Sequence, residues 1–201
     1  MASRRVLAVC GPSGVGKGTI VGLLLRDYPR EFGLVTSHTT RLPREGEIPG
    51  EHYHFVDDDQ FKTMIQQGAF VEHAHVHGKR YGTSVQALSD VMAKDKVCVM
   101  DIDVQGIGAM WKLDGSEAKV WDELVCAAVL PQSKRDLAER LASRGSETDE
   151  SLSLRAANAA AEIEFFEAST SKIDISIVNT DSWKVGYPSL RCFLRDEKWI
   201  E

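Results

Sequence analysis

Residues 11 to 17, Gly-Pro-Ser-Gly-Val-Gly-Lys, follow directly on an apolar run, Val6–Cys10, and precede a helical pattern. Glycines let consecutive backbone N–H groups converge on anionic oxygens, and a lysine closing such a turn reaches a β- or γ-phosphate. A helix starting there adds the positive end of its dipole. The chemistry indicated is nucleoside triphosphate binding by Gly11, Pro12, Ser13, Gly14, Val15, Gly16, Lys17, Gly18 and Thr19. A plain glycine turn is the weaker alternative, because pattern and context both fit. One letter departs from the usual phosphate loop. Gly18 stands where a Ser or Thr hydroxyl would touch Mg²⁺. Thr19 lies about 100° further round the helix and is no direct substitute. Either phosphates and waters hold the metal, which the persistent hydration shell of Mg²⁺ allows, or Mg²⁺ use is impaired. The first is preferred.

A second anion site is indicated downstream. Arg41 and Arg44 lie three residues apart in "TSHTTRLPREGE", and two forked guanidiniums at that spacing suit one phosphate dianion. Tyr53 and Tyr81 can add hydroxyl donors. On those residues alone a solvated charged loop is as good a reading. Asp101 and Asp103, two apart at the end of "KVCVMDID", share one face of a strand. Such acids bind Mg²⁺ through water, orient an acceptor, or hold a neighbouring N–H. Arg140 and Arg144, four apart, share one face of a helix, and Arg155 follows on the next. Without context these are ordinary solvated arginines.

The elements that must position these groups follow from periodicity. Val6–Cys10 reads as a buried strand, Lys17–Asp27 as a helix stopped by Pro29, and Leu34–Thr40 as a second strand. A Gly- and Pro-punctuated region follows, then short strands at 53–56, 69–76 and 79–84 around a helix at 58–67. Further strands are expected at 96–103 and 124–130. Ser133, with Asp136 three residues on, opens a helix to Ser143; Gly145 stops it, and a long helix runs to about Glu167. A strand in "KIDISIVN" and a helix over 183–198 close the chain. Alternating strand and helix predicts an α/β fold with a parallel sheet and crossover helices.

The ordered motifs "GPSGVGKGT", "SHTTRLPREGE", "YHFV", "FVEHAHVHGKRYGTS", "DIDVQG", "RLASRGSE" and "IVNTD" together resemble the guanylate kinase family along nearly the whole chain. The resemblance implies a P-loop NTPase-type parallel-sheet core (about 1–35, 96–132 and 157–201) flanked by helices. It also implies a small mixed α/β GMP-binding insertion (about 36–95) and a helical lid (about 133–156), all in a single domain. It implies that Ser37, Glu72 and Thr83 line the guanine, and that Arg41, Arg44, Tyr53 and Tyr81 hold the GMP phosphate. Glu47 would grip one of the arginines. Asp101 would lie toward Mg²⁺ and the donor phosphates, Asp103 toward GMP. Lid arginines Arg140, Arg144 and Arg155 would close over the transferring phosphoryl group, with Gly145 and the polar stretch after it as a hinge. The chemistry of the base agrees: a carboxylate can accept guanine's N1–H and N2 amine side by side, and hydroxyls can serve O6 and N7. The activity implied is ATP-dependent, Mg²⁺-assisted phosphorylation of GMP and dGMP. The small molecules ATP and GMP are the expected partners, and the protein itself is expected to be a monomer or homodimer. The "GKGT" ending also occurs in phosphate loops resembling those of adenylate kinases, so Gly18 reads as a tolerated variant.

Composition agrees with a soluble globular chain: 201 residues, 43% hydrophobic, 27% charged, net charge −6. That balance argues against a nucleic-acid partner or an anionic membrane surface. No segment approaches the ~20 apolar residues of a membrane span. The basic-then-apolar start is too short for a signal peptide's h-region of roughly 7–15 residues. Cys10, Cys98, Cys126 and Cys192 form no CxxC, which fits small buried hydrophobes in a reduced cytoplasmic compartment. His73, His75 and His77 alternate along a strand, but a metal site there is declined for want of a fourth ligand. The tryptophans form no stacking platform. Two rival readings remain. A kinase-like domain that only binds proteins would usually lack Lys17 or the lid arginines. A kinase on this fold with another acceptor would not need Ser37, Glu72 and Thr83.

Overall fold

A computed structural model describes residues 4–76, 78–142, 149–180 and 186–201. In β1 (Arg5–Cys10) the side chains of Val6, Ala8 and Cys10 enter one apolar layer and those of Leu7 and Val9 the other. All five are fully buried. Period-two alternation with both faces buried is what a central parallel strand requires. β1 indeed sits in the middle of a five-stranded parallel sheet. With β2 (Phe32–Leu34), β7 (Val97–Ile102), β8 (Glu123–Pro131) and β9 (Ile175–Asn179), the order is β2-β7-β1-β8-β9. The Leu7/Val9 layer is covered by α1 (Lys17–Asp27) and α7 (Gly186–Asp196). The opposite layer is covered by α3 (Val85–Met92) and α4 (Val104–Asp114). Gly11 closes β1 where β8 leaves no room: a Cβ there would lie 2.2 Å from the Val129 carbonyl oxygen.

A second sheet stands over the C-terminal ends of β1 and β7. It comprises β3 (His38–Thr39), β4 (His54–Phe55), β5 (Phe70–Val76) and β6 (Lys79–Ser84) in the order β4-β3-β6-β5. β6 runs antiparallel to both its neighbours. Behind it α2 (Asp58–Gln66) starts from a capping box between Asp57 and Gln60, and its buried Phe61 stacks on Phe70 at 4.6 Å. α5 (Lys134–Ala142) begins where Ser133 accepts the Asp136 N–H. α6 (Asp149–Ala168) returns to the core, placing Ile163 in one apolar layer and Phe166 in the other.

Two expectations need correction, and two helices are additions to them. The strand expected over Leu34–Thr40 is two: the chain leaves the parallel sheet after the Val35 N–H has bonded the Val99 carbonyl, and its polar half joins the small sheet as β3. Helices α3 and α4 were not legible. α3 is short, and α4 carries Gly106 and Gly108, which lower helix propensity at its centre. The last strand begins at Ile175, after a short 3-10 turn over Thr170–Lys172. Ala87, Leu88 and Val91 tie α3, within the expected insertion, to the core layer. Cys10, Cys98 and Cys126 are buried free thiols and Cys192 is exposed. Among the described residues no helix is long and apolar enough to cross a membrane.

Candidate active site

Four of the first five helices begin with a side-chain cap; α1 does not. Asp57, Ser84, Asp103 and Ser133 accept first-turn N–H groups of α2, α3, α4 and α5. α1 begins at Gly16 with no side-chain cap and no acid in its first turn. Its N-terminal N–H groups and dipole end therefore face a cavity of about 470 Å³ lined by Ser13, Gly14, Gly16, Lys17, Gly18 and Thr19. An anion is the natural partner for such an end. Lys17 Nζ meanwhile folds back to donate to the carbonyl oxygens of Gly11 at 2.8 Å and Pro12 at 3.3 Å. Gly11, Pro12 and Val15 stay behind the cavity wall and shape the loop. Asn179, at the end of β9, supports the loop from behind by donating Nδ2–H to the Val15 carbonyl.

Asp101 lies across from the lysine because β7 pairs with β1 in a register that sets Val9 against Asp101. Its Oδ1 is 3.9 Å from Lys17 Nζ, and about a third of the side chain (36%) reaches the cleft. Enclosure by protein raises its pKa and the Lys17 charge opposes that rise. Asp103 lines the same cavity, but its Oδ1 is committed to the N–H groups of Gln105 and Gly106 as the cap of α4. Its other oxygen remains for the cleft. An Mg²⁺ ion fits beside Asp101: Gly18 brings no side chain there, and a Cβ on it would meet only Asp101 Oδ2, at 3.7 Å. The donor set would be one carboxylate, phosphate oxygens and water, as a hard cation that stays hydrated prefers.

The far end of the cavity is built by the small sheet. Glu72 on β5 is buried, 6% exposed, and opposite Thr83 on β6. The Thr83 hydroxyl donates to Glu72 Oε1 at 2.6 Å, and the Ser37 hydroxyl lies 2.9 Å from that of Thr83. Because the Thr83 proton goes to the carboxylate, Ser37 supplies the proton between the two hydroxyls. Burial pushes the Glu72 carboxyl up to about 7, against the Thr83 hydrogen bond and helped by the Asp103 charge. Gly106 makes room for the second carboxylate oxygen, since a Cβ there would lie 2.8 Å from Glu72 Oε2. Ser37 and Glu72 line the cavity, with Thr83 just behind.

Between the ends stand the cations of the 41–47 loop. Glu47 grips Arg41 through two hydrogen bonds of 2.9 Å and accepts the Arg44 backbone N–H at 2.7 Å. Its partners hold the Glu47 carboxyl below the ordinary range, while the Glu47 hydrogen bond, first among several causes, raises the Arg41 pKa. The Arg41 guanidinium lies over the Tyr53 ring at 5.3 Å, and Tyr53 meets Tyr81 edge-on at 6.0 Å. Burial pushes the Tyr53 hydroxyl up to about 12, so it remains a proton donor. Arg41, Arg44, Tyr53 and Tyr81 all line the cavity; Glu47 stands behind them.

Arg140 and Arg155 are carried by α5 and α6. Arg144 and residues 145–148 of the hinge expected over 145–151 lie outside the described residues, as does His77, and residues 149–151 already belong to α6. The cavity also has a wall that sequence reasoning missed: Ala74, Val76, Gly82, Ile102 and Glu162. Ala74 and Val76 follow from strand alternation with Glu72 along β5. Glu162, within an Ala/Glu-rich helix, carried no local signal at all.

The family model for guanylate kinase matches residues 3–196. "Guanylate kinase 1" of Oryza sativa subsp. japonica is 44% identical over 161 residues, covering 80% of this chain and 40% of the relative. "Guanylate kinase 1" of Arabidopsis thaliana is 39% identical over 192 residues, covering 96% and 47%. The chain therefore spans less than half the length of these two plant relatives. The guanylate kinase of Sus scrofa is 38% identical over 197 residues, covering 98% of this chain and 95% of that one. The crystal structure of guanylate kinase from Anaplasma phagocytophilum superposes with a TM-score of 0.71 at 28% identity, covering 98% and 87%. Across its core sheet, phosphate loop and second sheet, this chain belongs to the guanylate kinase family.

Proposed function

We propose that the protein transfers the γ-phosphoryl group of ATP to the phosphate of GMP, giving ADP and GDP. One observation carries this reading: a buried carboxylate, Glu72, bonded to Thr83 and through it to Ser37, faces an uncapped phosphate-loop helix within one cavity. Guanine's N1–H and N2 amine would bond the Glu72 carboxylate together, and the Ser37 and Thr83 hydroxyls would turn their protons from each other and from Glu72 to serve O6 and N7. Adenine would turn a lone pair toward the same carboxylate and lack the amine. Sites that read a hydrogen-bonding edge in this way discriminate by roughly 10⁴–10⁵. Arg44 and the Glu47-oriented Arg41, with the Tyr53 and Tyr81 hydroxyls, would hold the acceptor phosphate in the middle of the cavity.

At the donor end, Lys17 would leave the Gly11 and Pro12 carbonyls for the β- and γ-phosphates, and the open N-terminus of α1 would take the remaining charge. Asp101 would hold Mg²⁺ through water, and Asp103 would present its uncommitted oxygen toward the acceptor side. Mg²⁺, when bound with ATP, neutralises charge on the β- and γ-phosphates. In the transfer a GMP phosphate oxygen attacks the γ-phosphorus and the bond to the β–γ bridging oxygen breaks. Arg140, Arg144 and Arg155 would neutralise the charge in flight, and positioning of this kind supplies most of the rate in phosphoryl transfer. A lid closing over both substrates would exclude water and suppress ATP hydrolysis.

The test supplies ATP and Mg²⁺ to the pure protein and follows ADP release with GMP, dGMP, AMP, UMP or no acceptor. GMP should accelerate release strongly and AMP hardly at all. Equal rates with AMP, or no acceleration by any acceptor, would overturn the assignment.

A further inference from the structure

Among the described residues lining the cavity, Glu162 is the acid that the proposed chemistry leaves idle. From α6 its Oε2 accepts the backbone N–H of Ser13, the third residue of the phosphate loop, at 3.0 Å. The carboxylate is enclosed enough that burial raises its pKa, against that hydrogen bond and the Lys17 charge. Its own position is fixed by its neighbours. Ile163 and Phe166 are buried, and Phe165 stacks on Trp111 of α4 at 5.6 Å with an interplanar angle of 12°. The same helix carries Arg155 seven residues, two turns, earlier.

The loop is otherwise held from within. Lys17 Nζ straps it by bonding the Gly11 and Pro12 carbonyls, and these bonds must break when the lysine turns to phosphate. What remains then, among the described residues, is the turn's own Val15 N–H bond to the Pro12 carbonyl and the outer support of Asn179 on Val15 and Glu162 on Ser13. Of these, only Glu162 belongs to the helix that bears a lid arginine.

Resting on the kinase reading above, we propose that Glu162 is a positioning residue for the donor nucleotide. By holding the Ser13 N–H it keeps the leading edge of the phosphate loop in place after Lys17 releases it. It also ties the loop to α6, the helix whose sequence carries Arg155. The carboxylate therefore aids ATP binding although both are negative. A simple competitor for the Ser13 amide would do the opposite.

The two roles separate in the full-length chain. Glu162→Ala removes the anchor from a helix that tolerates alanine well. Glu162→Gln removes the charge and keeps an acceptor oxygen at the same reach. A hydrogen bond to a charged acceptor is worth roughly ten- to a hundredfold in an equilibrium constant. Glu162→Ala should therefore raise the KM for ATP about tenfold or more and lower kcat, with the KM for GMP and the Tm nearly unchanged. Glu162→Gln should restore both constants to within about threefold. Tighter ATP binding in Glu162→Ala would show the carboxylate to be a competitor and overturn the proposal. So would equal rises in both KM values, a lowered Tm with unchanged kinetics, or no change at all. A wild-type protein without GMP-stimulated turnover would instead overturn the kinase reading, so the two failures are distinguishable.

Discussion

The two ends of the cavity are built on opposite principles. At the base-reading end the polar groups are buried and already satisfied: Thr83 is fully buried, Glu72 is 6% exposed, and the hydroxyls and carboxylate bond one another before any ligand arrives. At the phosphate-loop end the groups wait. Lys17 is parked on its own loop, α1 lacks a cap, and Asp101 opens to the cleft. A buried network rejects a wrong base because any mismatch leaves a desolvated group unpaired. An open cluster of charge attracts any phosphate and acts most strongly where charge develops in the transition state. On the proposed function, selection would reside in the small sheet and rate in the loop.

Substituting one residue at each end should break that division cleanly. Lys17→Met should cost the most. A cation supplied to a phosphoryl-transfer transition state is worth about 10³–10⁵ by analogy with arginine fingers. A loss of that order in kcat is expected, while GMP affinity measured by equilibrium titration stays near wild type. Glu72→Gln should come next. One carboxylate oxygen becomes an amide NH2 that faces guanine's donors, so kcat/KM for GMP should fall by about 10²–10³, with ATP affinity unchanged. Because a charge held in a dry site is removed, its Tm at pH 8 should not fall below wild type. Equal damage to ATP and GMP in either variant would erase the contrast.

The pH dependence sharpens the same contrast. Burial raises the Glu72 carboxyl to about 7, and guanine needs the ionised form. Above that pH the site is ready. Below it, each unit should weaken GMP binding by about tenfold, because a proton must leave before the base enters. Folding stability has the opposite sign: the acid form is the one that burial favours, so this group's contribution decreases as pH rises from the unfolded value toward 7. GMP's own phosphate titrates near 6, so KM for GMP should be profiled in parallel in Glu72→Gln. The wild-type slope between pH 7 and 6 should exceed that of the variant. Parallel profiles would mean that Glu72 stays ionised throughout.

How much of this was legible in the sequence divides along the same line. The phosphate loop, Asp101 and the arginine pair are local patterns, set by chain neighbours within a few residues. Sequence spacing alone could therefore single them out. The base-reading triad is non-local: Ser37, Glu72 and Thr83 meet only through strand pairing in the small sheet. Their chemistry could be matched to guanine, but their assembly rested on family resemblance. Gly106 and Glu162 were beyond reach, since each matters through a contact with a distant segment. For Asp101 and Asp103, holding a neighbouring N–H is one of the readings that spacing leaves open, and only once α4 is placed is Asp103 seen to take it, as that helix's cap.

Gly18 gives the smallest expected effect and the most pointed check on the waiting, open character of the donor end. A Cβ at this position would meet only Asp101 Oδ2 at 3.7 Å, which is ordinary van der Waals distance, so serine fits without displacement. Near the start of α1 serine is the better helix former by roughly 0.5 kcal/mol, which for a chain of this size raises Tm by about 1–2 °C. The new hydroxyl would stand beside Asp101, where a fixed metal ligand would normally be. If the phosphates and waters carry Mg²⁺ here, Gly18→Ser should change the Mg²⁺ concentration for half-maximal rate by less than about threefold, since a hydrated ion gains little from one neutral oxygen. A tenfold or larger drop would mean that the donor end, like the acceptor end, depends on prebuilt ligands and that this chain lacks one of them.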